Sequence, residues 1–296
     1  MSDYHTPVML EEALGFLNIQ TDYWYIDCNI GGGGHTKGIL QRGGKVLGID
    51  LDQDAIAEVS KRFKSEIDVK RLILVQSNFS NVDQAVKELG LKNIKGVLFD
   101  LGVSSHQLED GQRGFSFNQD VSLDMRMDQN MGVKASDLVN GLHEGELSEL
   151  IQKYGEDNFA KKIARAIVKY RNSKAIESTN ELAQIIASSK PRSFSDRTHP
   201  ATRTFQALRI AVNDELNSLK EALPKAFDVL DKDGRLVVIS FHSLEDRIVK
   251  NIFKELVEDG KAKELTKKPL LPTDQEIAGN PRSRSGKLRA MQKRVP

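Results

Sequence analysis

The sequence predicts an α/β fold: a parallel, Rossmann-like sheet interrupted by an all-helical insertion. Three observations predict it. Short apolar segments alternate with amphipathic helical ones over the first hundred residues. A glycine-rich loop joins the first strand to the helix after it. Beyond Asp100 the alternation gives way to a long stretch of helical periodicity before one more strand.

The elements follow in order. Tyr23–Cys28 is an apolar strand, and the loop Asn29–Gly34 leads into a helix from His35 to Arg42 that Gly43-Gly44 ends. Lys45–Asp50 is the second strand. In Asp54–Lys64, Ala55, Ile56, Val59 and Phe63 share a helical face, with Asp52 as N-cap. Leu72–Gln76 is a strand, Asp83–Leu89 a helix and Gly96–Asp100 a strand. Such alternation implies right-handed crossovers and ligands beyond the carboxyl ends of the strands, where Asp27, Asp50, Phe79 and Asp100 fall.

After Asp100 the chain changes character. Leu101–Asp120, rich in Gly, Ser, Gln and aromatics, reads as a long functional loop. Ala135–Ser188 is helical throughout; in Asn158–Tyr170 the face is Phe159, Ile163, Ala166, Ile167 and Tyr170. Ser189–Pro200 reads as a linker. Ala201–Leu230 is amphipathic helix broken near Pro224, and Asp233-Gly234 turns into strand Arg235–Ser240. A capping box at Ser243-Leu244-Glu245-Asp246 starts the next helix. The expected domains are 1–125 with 206–296 for the sheet and 126–205 for the helical insertion.

The glycine loop sets the ligand class. Gly31-Gly32-Gly33-Gly34 follows a strand, and Asp50 lies sixteen residues beyond Gly34, placed to accept from ribose hydroxyls. The dinucleotide spacing fails, since the third glycine would fall on Thr36 or Lys37; the phosphate-loop spacing fails too, since Gly33 and Gly38 are followed by Ile39 and Leu40. A nucleoside without phosphates fits better, and S-adenosylmethionine is one. The alternative is a tight strand–helix turn that binds nothing.

Composition bounds the rest. In 296 residues, hydrophobic side chains are 39% and charged ones 29%, as expected of a soluble globular protein. No apolar run is long enough to cross a membrane, and the N-terminus has no signal-peptide pattern. One cysteine, Cys28, and six scattered histidines offer neither an internal disulfide nor a zinc spacing, so no metal and a cytoplasmic location are expected. Net charge is +1, which excludes a uniformly basic nucleic-acid glove; yet Pro281–Pro296 carries six basic residues and no acid. That tail is a solvated terminus or a phosphate contact.

Several segments carry chemistry. Asp100, Ser104 and Ser105 follow the fourth strand, where hydroxyls and a carboxylate suit a polar nucleophile or a self-satisfied turn. A covalent cysteine adduct is excluded there. Arg113-Gly114-Phe115-Ser116-Phe117 offers a guanidinium and two rings for unpaired bases; equally, Phe115 and Phe117 alternate into a core. The methionines of Ser122–Asp128 read as core. His199–Gln206 opens a helix with Arg203, Arg209, Arg192 and Arg197 nearby, a natural phosphate site. His242 lies at the mouth of the last strand and is structural or site-facing.

Taken in order, His5-Thr6-Pro7-Val8, Gly33-Gly34-His35, Asp100–Ser105, Arg113–Phe117, Leu123–Asp128, Tyr154-Gly155-Glu156, His199–Ala207, Ile239–Arg247 and Asn280–Ser285 resemble one family. It is the bacterial S-adenosylmethionine-dependent 16S rRNA cytosine-N4 methyltransferases of the MraW/RsmH type. The resemblance covers nearly the whole chain and implies a class I methyltransferase sheet. It implies S-adenosylmethionine at Gly33, Gly34, His35, Asp50, Phe79, Asp100 and Gln107. The activity implied is methylation of a cytidine N4 in small-subunit rRNA near the decoding centre. Asp100 and Ser104 are then the candidate catalytic residues. Arg113, Phe115, Arg203, His242, Arg282 and Arg284 are the candidate RNA contacts, and 126–205 is the substrate-recognition domain. The partner is 16S rRNA, within the small subunit, with a homodimer left open. Cys28-Asn29, Gly32 and His106 depart from the family pattern.

The sequence features also argue against three other functions. Arginine-flanked aromatics and the basic tail argue against a protein or small-molecule methyltransferase. The glycine loop with Asp50 argues against a non-catalytic RNA scaffold, and the failed fingerprint against a nicotinamide oxidoreductase.

Overall fold

A computed structural model describes residues 7–103, 113–191 and 199–294. In chain order the elements are α1 (Leu10–Leu17), β1 (Trp24–Asp27), α2 (Gly34–Gln41), β2 (Lys45–Asp50), α3 (Gln53–Arg62), α4 (Lys64–Asp68), β3 (Leu72–Gln76), α5 (Val82–Glu88) and β4 (Ile94–Asp100). Then come α6 (Ala135–Gly141), α7 (Glu144–Gly155), α8 (Ala160–Arg171), α9 (Thr179–Ser189) and α10 (Thr202–Asn213). The chain closes with α11 (Glu215–Asp228), β5 (Arg235–Ser240), α12 (Ser243–Glu258), β6 (Ala262–Glu264), α13 (Asp274–Gly279) and β7 (Lys287–Lys293). No helix among the described residues is long and apolar enough to cross a membrane.

The chain divides into two compact units: Met1–Ser105 with Leu216–Pro296, and His106–Glu215. The borders differ from the 125/126 and 205/206 expected from sequence, and hydrogen bonding gives the reason. Leu123 N–H donates to the Glu177 carbonyl at 2.9 Å. The Asn213 amide donates to the Met125 carbonyl at 2.8 Å and accepts from Met127 N–H at 2.7 Å. The segment before Met125 and the whole of α10 are therefore built into the helical unit.

In the first unit seven strands run in the order β3-β2-β1-β4-β5-β7-β6. β1 to β5 are parallel and β7 is antiparallel to both β5 and β6. Alternation along the strands divides the core between the two faces. Ile26, Leu47, Val97, Phe99, Leu236, Val238 and Met291 pack with residues of α5, α11 and α12. Tyr25, Val46, Leu98, Val237, Ile239, Leu288 and Ala290 pack with residues of α1, α2 and α3. Cys28, a departure from the family pattern, is a buried core side chain.

The C-terminal segment overturns one expectation. Rather than a free basic tail, Lys287–Lys293 is a full strand registered on β5, Val237 opposite Ala290. Lys287, Leu288, Arg289, Ala290 and Met291 do alternate, but with small or charged residues in a basic setting, and the partner strand is about fifty residues away. Arg289 is buried, its Nε donating to Asp246 at 2.7 Å. The Lys293 ammonium donates to the carbonyls of Phe227, Asp228 and Leu230 at the end of α11. Two of the six basic residues thus hold the fold.

The helix pair after Pro200 is also corrected. The break lies at Asp214, in the left-handed region at φ 48°, and Pro224 sits inside α11. A helix-interior proline costs roughly 3 kcal/mol. Leu216, Leu219, Leu223, Ala226 and Phe227 are buried on the same helix, and each large apolar side chain returns about 1.5–3 kcal/mol. Packing therefore wins over the lost hydrogen bond.

The capping box likewise starts one residue earlier than expected. His242 is the cap, its Nδ1 accepting from Glu245 N–H at 3.3 Å, while Glu245 Oε2 accepts from His242 N–H at 3.2 Å. The imidazole takes the role assigned from sequence to the Ser243 hydroxyl.

The helical unit packs α6 to α10 around Leu147, Ile151, Ile163, Ala164, Ile167, Leu182, Ile186 and Leu208. On α8 the buried stripe is Ala160, Ile163, Ala164 and Ile167; Tyr170, placed on that face from sequence, is exposed in the last turn.

Candidate active site

β1 and β4 are neighbours in the sheet, and the strand order reverses between them. In an open α/β sheet the crevice beyond this reversal receives ligands. Asp27 and Asp100 end these two strands, and Asp50 ends β2. The glycine loop crosses the same edge.

The loop owes its shape to residues without Cβ. Gly33 caps α2 at φ 75° and ψ 23°. A Cβ there would stand 2.8 Å from the Phe63 ring. At Gly34 a Cβ would meet Pro7 carbons at 3.0 Å. The chain before α1 therefore packs on the loop, a contact that the shared Pro7-Val8 motif could have signalled. The loop is held from below as well. Gly31 N–H donates to Asp50 Oδ2 at 2.9 Å, and the Gly32 carbonyl accepts from Arg62 at 2.9 Å.

Asp50 is part-exposed at the rim. Its Oδ1 accepts from Asp52 N–H at 2.9 Å, so each oxygen has one backbone donor and a lone pair to spare. Its partners fix its orientation before any ligand arrives. Burial, and then the nearby carboxylates of Asp52 and Asp27, outweigh those two backbone bonds and push its pKa up to about 6. Asp52 does cap α3 as expected, accepting from Asp54 N–H at 3.1 Å.

Phe79 opens a 3₁₀ turn after β3 and stands edge-to-face on Phe99, with centroids 5.6 Å apart. This gives the crevice an apolar ring near its rim.

At the ends of β1 and β4 the polar groups are buried. Asp27 Oδ2 accepts from the Thr36 hydroxyl at 2.8 Å, and burial pushes the Asp27 pKa up to about 6. His35 Nε2 lies 3.1 Å from the Val8 carbonyl. A carbonyl only accepts, so Nε2 carries the hydrogen. Nδ1 then faces Asp100 Oδ2 at 3.4 Å. Burial, with Asp27 and Glu245 adding repulsion, raises Asp100 well above the ordinary carboxylate range.

Asp27 Oδ1, Asn29 Oδ1 and Asp100 Oδ1 are buried with no hydrogen-bond partner among the described residues. Three orphaned acceptors around a glycine loop suit a ligand that brings cationic or N–H groups. A nucleoside bearing an amino acid and a cationic sulfur, as S-adenosylmethionine does, fits this donor set. Asp50 would take its ribose, Phe79 its adenine and the Asp27–Asp100 edge its charged end.

The proton affinities give the first prediction. A ribose acceptor works best as a carboxylate, so binding displaces the proton that Asp50 holds below about pH 6. Cofactor affinity should rise with pH up to that point and level off above it, with a slope of up to tenfold per unit. Calorimetry across pH 5–8 checks this; a flat profile excludes Asp50 as the titrating acceptor. For the stability of the ligand-free fold the opposite trend is expected. Asp27 and Asp50 hold protons in the folded state above their ordinary 3.8, so they contribute less stability as pH rises from about 4 to 6.

Ser104 and Gln107 lie outside the described residues, as do His106, Arg192 and Arg197. In the helical unit the structure chooses between the alternatives left open. Phe115 is buried, and Arg113 is buried with its guanidinium donating to the carbonyls of Arg126 and Met127 at 2.8 and 2.6 Å. Both are built into the loop, and for Phe115 the core alternative is the one observed. Met125 is core as expected. Arg209 is paired with Glu215 through two bonds of 2.8 Å and is no phosphate site. Arg203 remains exposed beside the start of α10, one N–H donating to the Glu156 carbonyl at 2.8 Å. Phe117 stacks on His199 with centroids 4.6 Å apart. His242 is part-exposed and serves as the α12 cap. Arg282 and Arg284 sit exposed in a 3₁₀ turn, Pro281–Ser285.

A family model described as the MraW methylase family matches residues 2–294. The chain belongs to the MraW methylase family. It is similar at 45% identity, over 99% of each chain, to a Brevibacillus brevis protein named Ribosomal RNA small subunit methyltransferase H. A Clostridium botulinum protein of that name is 45% identical over 98% of each chain. A Carboxydothermus hydrogenoformans protein of that name is 47% identical over 98% of this chain and 97% of its own. MraW membership fits the seven-stranded sheet and the crevice at the β1–β4 reversal.

Proposed function

We propose that this chain transfers the methyl group of S-adenosylmethionine to the exocyclic N4 of a cytidine in 16S rRNA, near the decoding centre. The observation that carries it is the convergence of the glycine loop, Asp50 and the orphaned oxygens of Asp27 and Asp100 at the β1–β4 reversal of a methylase-family chain. The relatives' names supply the small-subunit rRNA substrate.

When bound, the cofactor supplies a methyl group on a cationic sulfur. The cytidine N4 is conjugated with its ring and is a poor nucleophile. Asp100, at the end of β4, and Ser104, four residues on in sequence, are the acceptors assigned to its N–H bonds, turning its lone pair toward the methyl. Nitrogen becomes acidic as the methyl arrives, so a modest base takes its proton. In-line positioning provides much of the rate. The base must leave its stack to reach the crevice. The helical unit, with Arg203, recognises the surrounding RNA, in the assembled subunit and in the cytoplasm.

Mass mapping of nucleosides in 16S rRNA from cells with and without this protein tests the reading. Loss of one N4-methylcytidine is expected on deletion, with recovery on re-expression. An unchanged map overturns it.

Arg282 and Arg284 are the remaining candidate phosphate contacts of the C-terminal segment. Truncation after Asn280 is no test, because it removes β7. Replacing both arginines with alanine should keep the fold and flatten the salt dependence of RNA binding, by about 0.7 in log–log slope per contact. An unchanged slope would make the turn a bystander.

A further inference from the structure

On the side of α2 facing α3 and α4 lies a second cleft of about 490 Å³. Its polar lining is Lys37, Gln41, Arg62, Ser65, Glu66 and Arg71. Three cations stand against a single carboxylate, and Glu66 Oε2 already accepts from the Ser65 hydroxyl at 2.6 Å. The lining is therefore rich in donors and poor in acceptors, in a chain whose net charge is only +1.

The cations differ in their ties. Arg71 donates through Nη2 to the carbonyls of Leu40 and Gly44 at 2.6 and 3.1 Å, which fixes its guanidinium in the wall. Arg62 donates through Nη1 to the Gly32 carbonyl and lies over the Phe63 ring at 5.4 Å. The remaining N–H groups of both arginines have no partner among the described residues. Lys37 is exposed, and no described residue pairs with it. Two guanidinium forks held in place beside a mobile ammonium suit a phosphate group.

The cleft is also wired to the glycine loop. Arg62 holds the Gly32 carbonyl, and Phe63 is the ring on which Gly33 rests. An anion on the free N–H groups of Arg62 holds that guanidinium against Gly32, and so holds the loop in its receptive shape.

We propose that this cleft is a phosphate-binding site, separate from the cofactor crevice, whose occupancy tightens cofactor binding through Arg62. The phosphate belongs to an RNA backbone or to a small free phosphoanion. By linkage, the cofactor must tighten phosphate binding by the same factor. This coupling rests on the cofactor reading above; the phosphate site itself does not.

The test is calorimetric titration of the full chain with pyrophosphate in a chloride buffer. Saturable binding is expected, weakened at least tenfold in Lys37→Glu, a surface change on α2 that removes no side-chain hydrogen bond among the described residues. Displacement by a short single-stranded RNA identifies the phosphodiester source, and displacement by a nucleoside triphosphate alone identifies a free phosphoanion; either supports the site. No saturable binding, or equal binding to Lys37→Glu, overturns it. A second titration measures S-adenosylmethionine affinity with and without saturating pyrophosphate. A several-fold gain is expected, absent in Lys37→Glu. Unchanged affinity would overturn the coupling while leaving the site, and no cofactor binding in either titration would count against the cofactor reading instead.

Discussion

Replacing Asp50 with alanine is expected to weaken S-adenosylmethionine binding by roughly 10- to 150-fold, the equivalent of about 1.5–3 kcal/mol for a charged acceptor. Asp50 does two things at once. One lone pair on each oxygen holds a backbone N–H, from Gly31 and from Asp52. The others are assigned to the ribose in the proposed cofactor reading. Alanine removes both, so part of the loss comes from a loosened loop. Asp50→Asn separates the two. Its one carbonyl oxygen keeps a single backbone bond and accepts weakly from ribose, so intermediate affinity is expected. Because it does not titrate near pH 6, its affinity should lack the pH dependence expected of the parent. Calorimetry on folded protein reads both. Parent-like affinity in Asp50→Ala would remove this residue from the site.

The second large effect is expected at Gly33. Alanine there must adopt φ near 75°, which costs an L-residue roughly 1–2 kcal/mol. Its Cβ must also displace the Phe63 ring from 2.8 Å. The loop then moves, and cofactor affinity should fall at least tenfold while the fold survives at lower stability. Adding Phe63→Leu makes room for the methyl but leaves the backbone strain, so partial recovery is expected. Full affinity in Gly33→Ala by titration would mean that this backbone does not contact the ligand.

Most of the sheet was legible because its parallel strands and the helices α2, α3 and α5 carry their own periods; α1 and α4 were not read from the sequence. Lys45–Asp50, Leu72–Gln76 and Arg235–Ser240 lie where the alternation put them. β1 and α5 differ by one residue at each end and β4 starts two residues early, where fraying and capping decide. The site was legible for the same reason: glycine spacing and acids at strand ends are local signals, and family motifs reinforced them. Illegible were features that depend on a distant partner. β7 needs β5 beside it before its modest alternation means anything. Arg113 looks like a base-stacking residue until its guanidinium is seen bonded to the carbonyls of Arg126 and Met127. Pro224 looks like a breaker until the buried face of α11 is counted against it.

The sequence by itself determined the alternating sheet, the helical stretch after it, the glycine loop and the acid that follows at Asp50. These depend on dihedral preference and hydrophobic period, which act over a few residues. Tertiary structure alone decided which charges are built into the fold and which stay exposed. It turned Arg289 and Lys293 into ties within the fold, left Arg282 and Arg284 exposed, and set His35 Nδ1 3.4 Å from Asp100 Oδ2. A charge in sequence has no partner and no dielectric. Burial and neighbours far along the chain set both, and with them the chemistry the group performs.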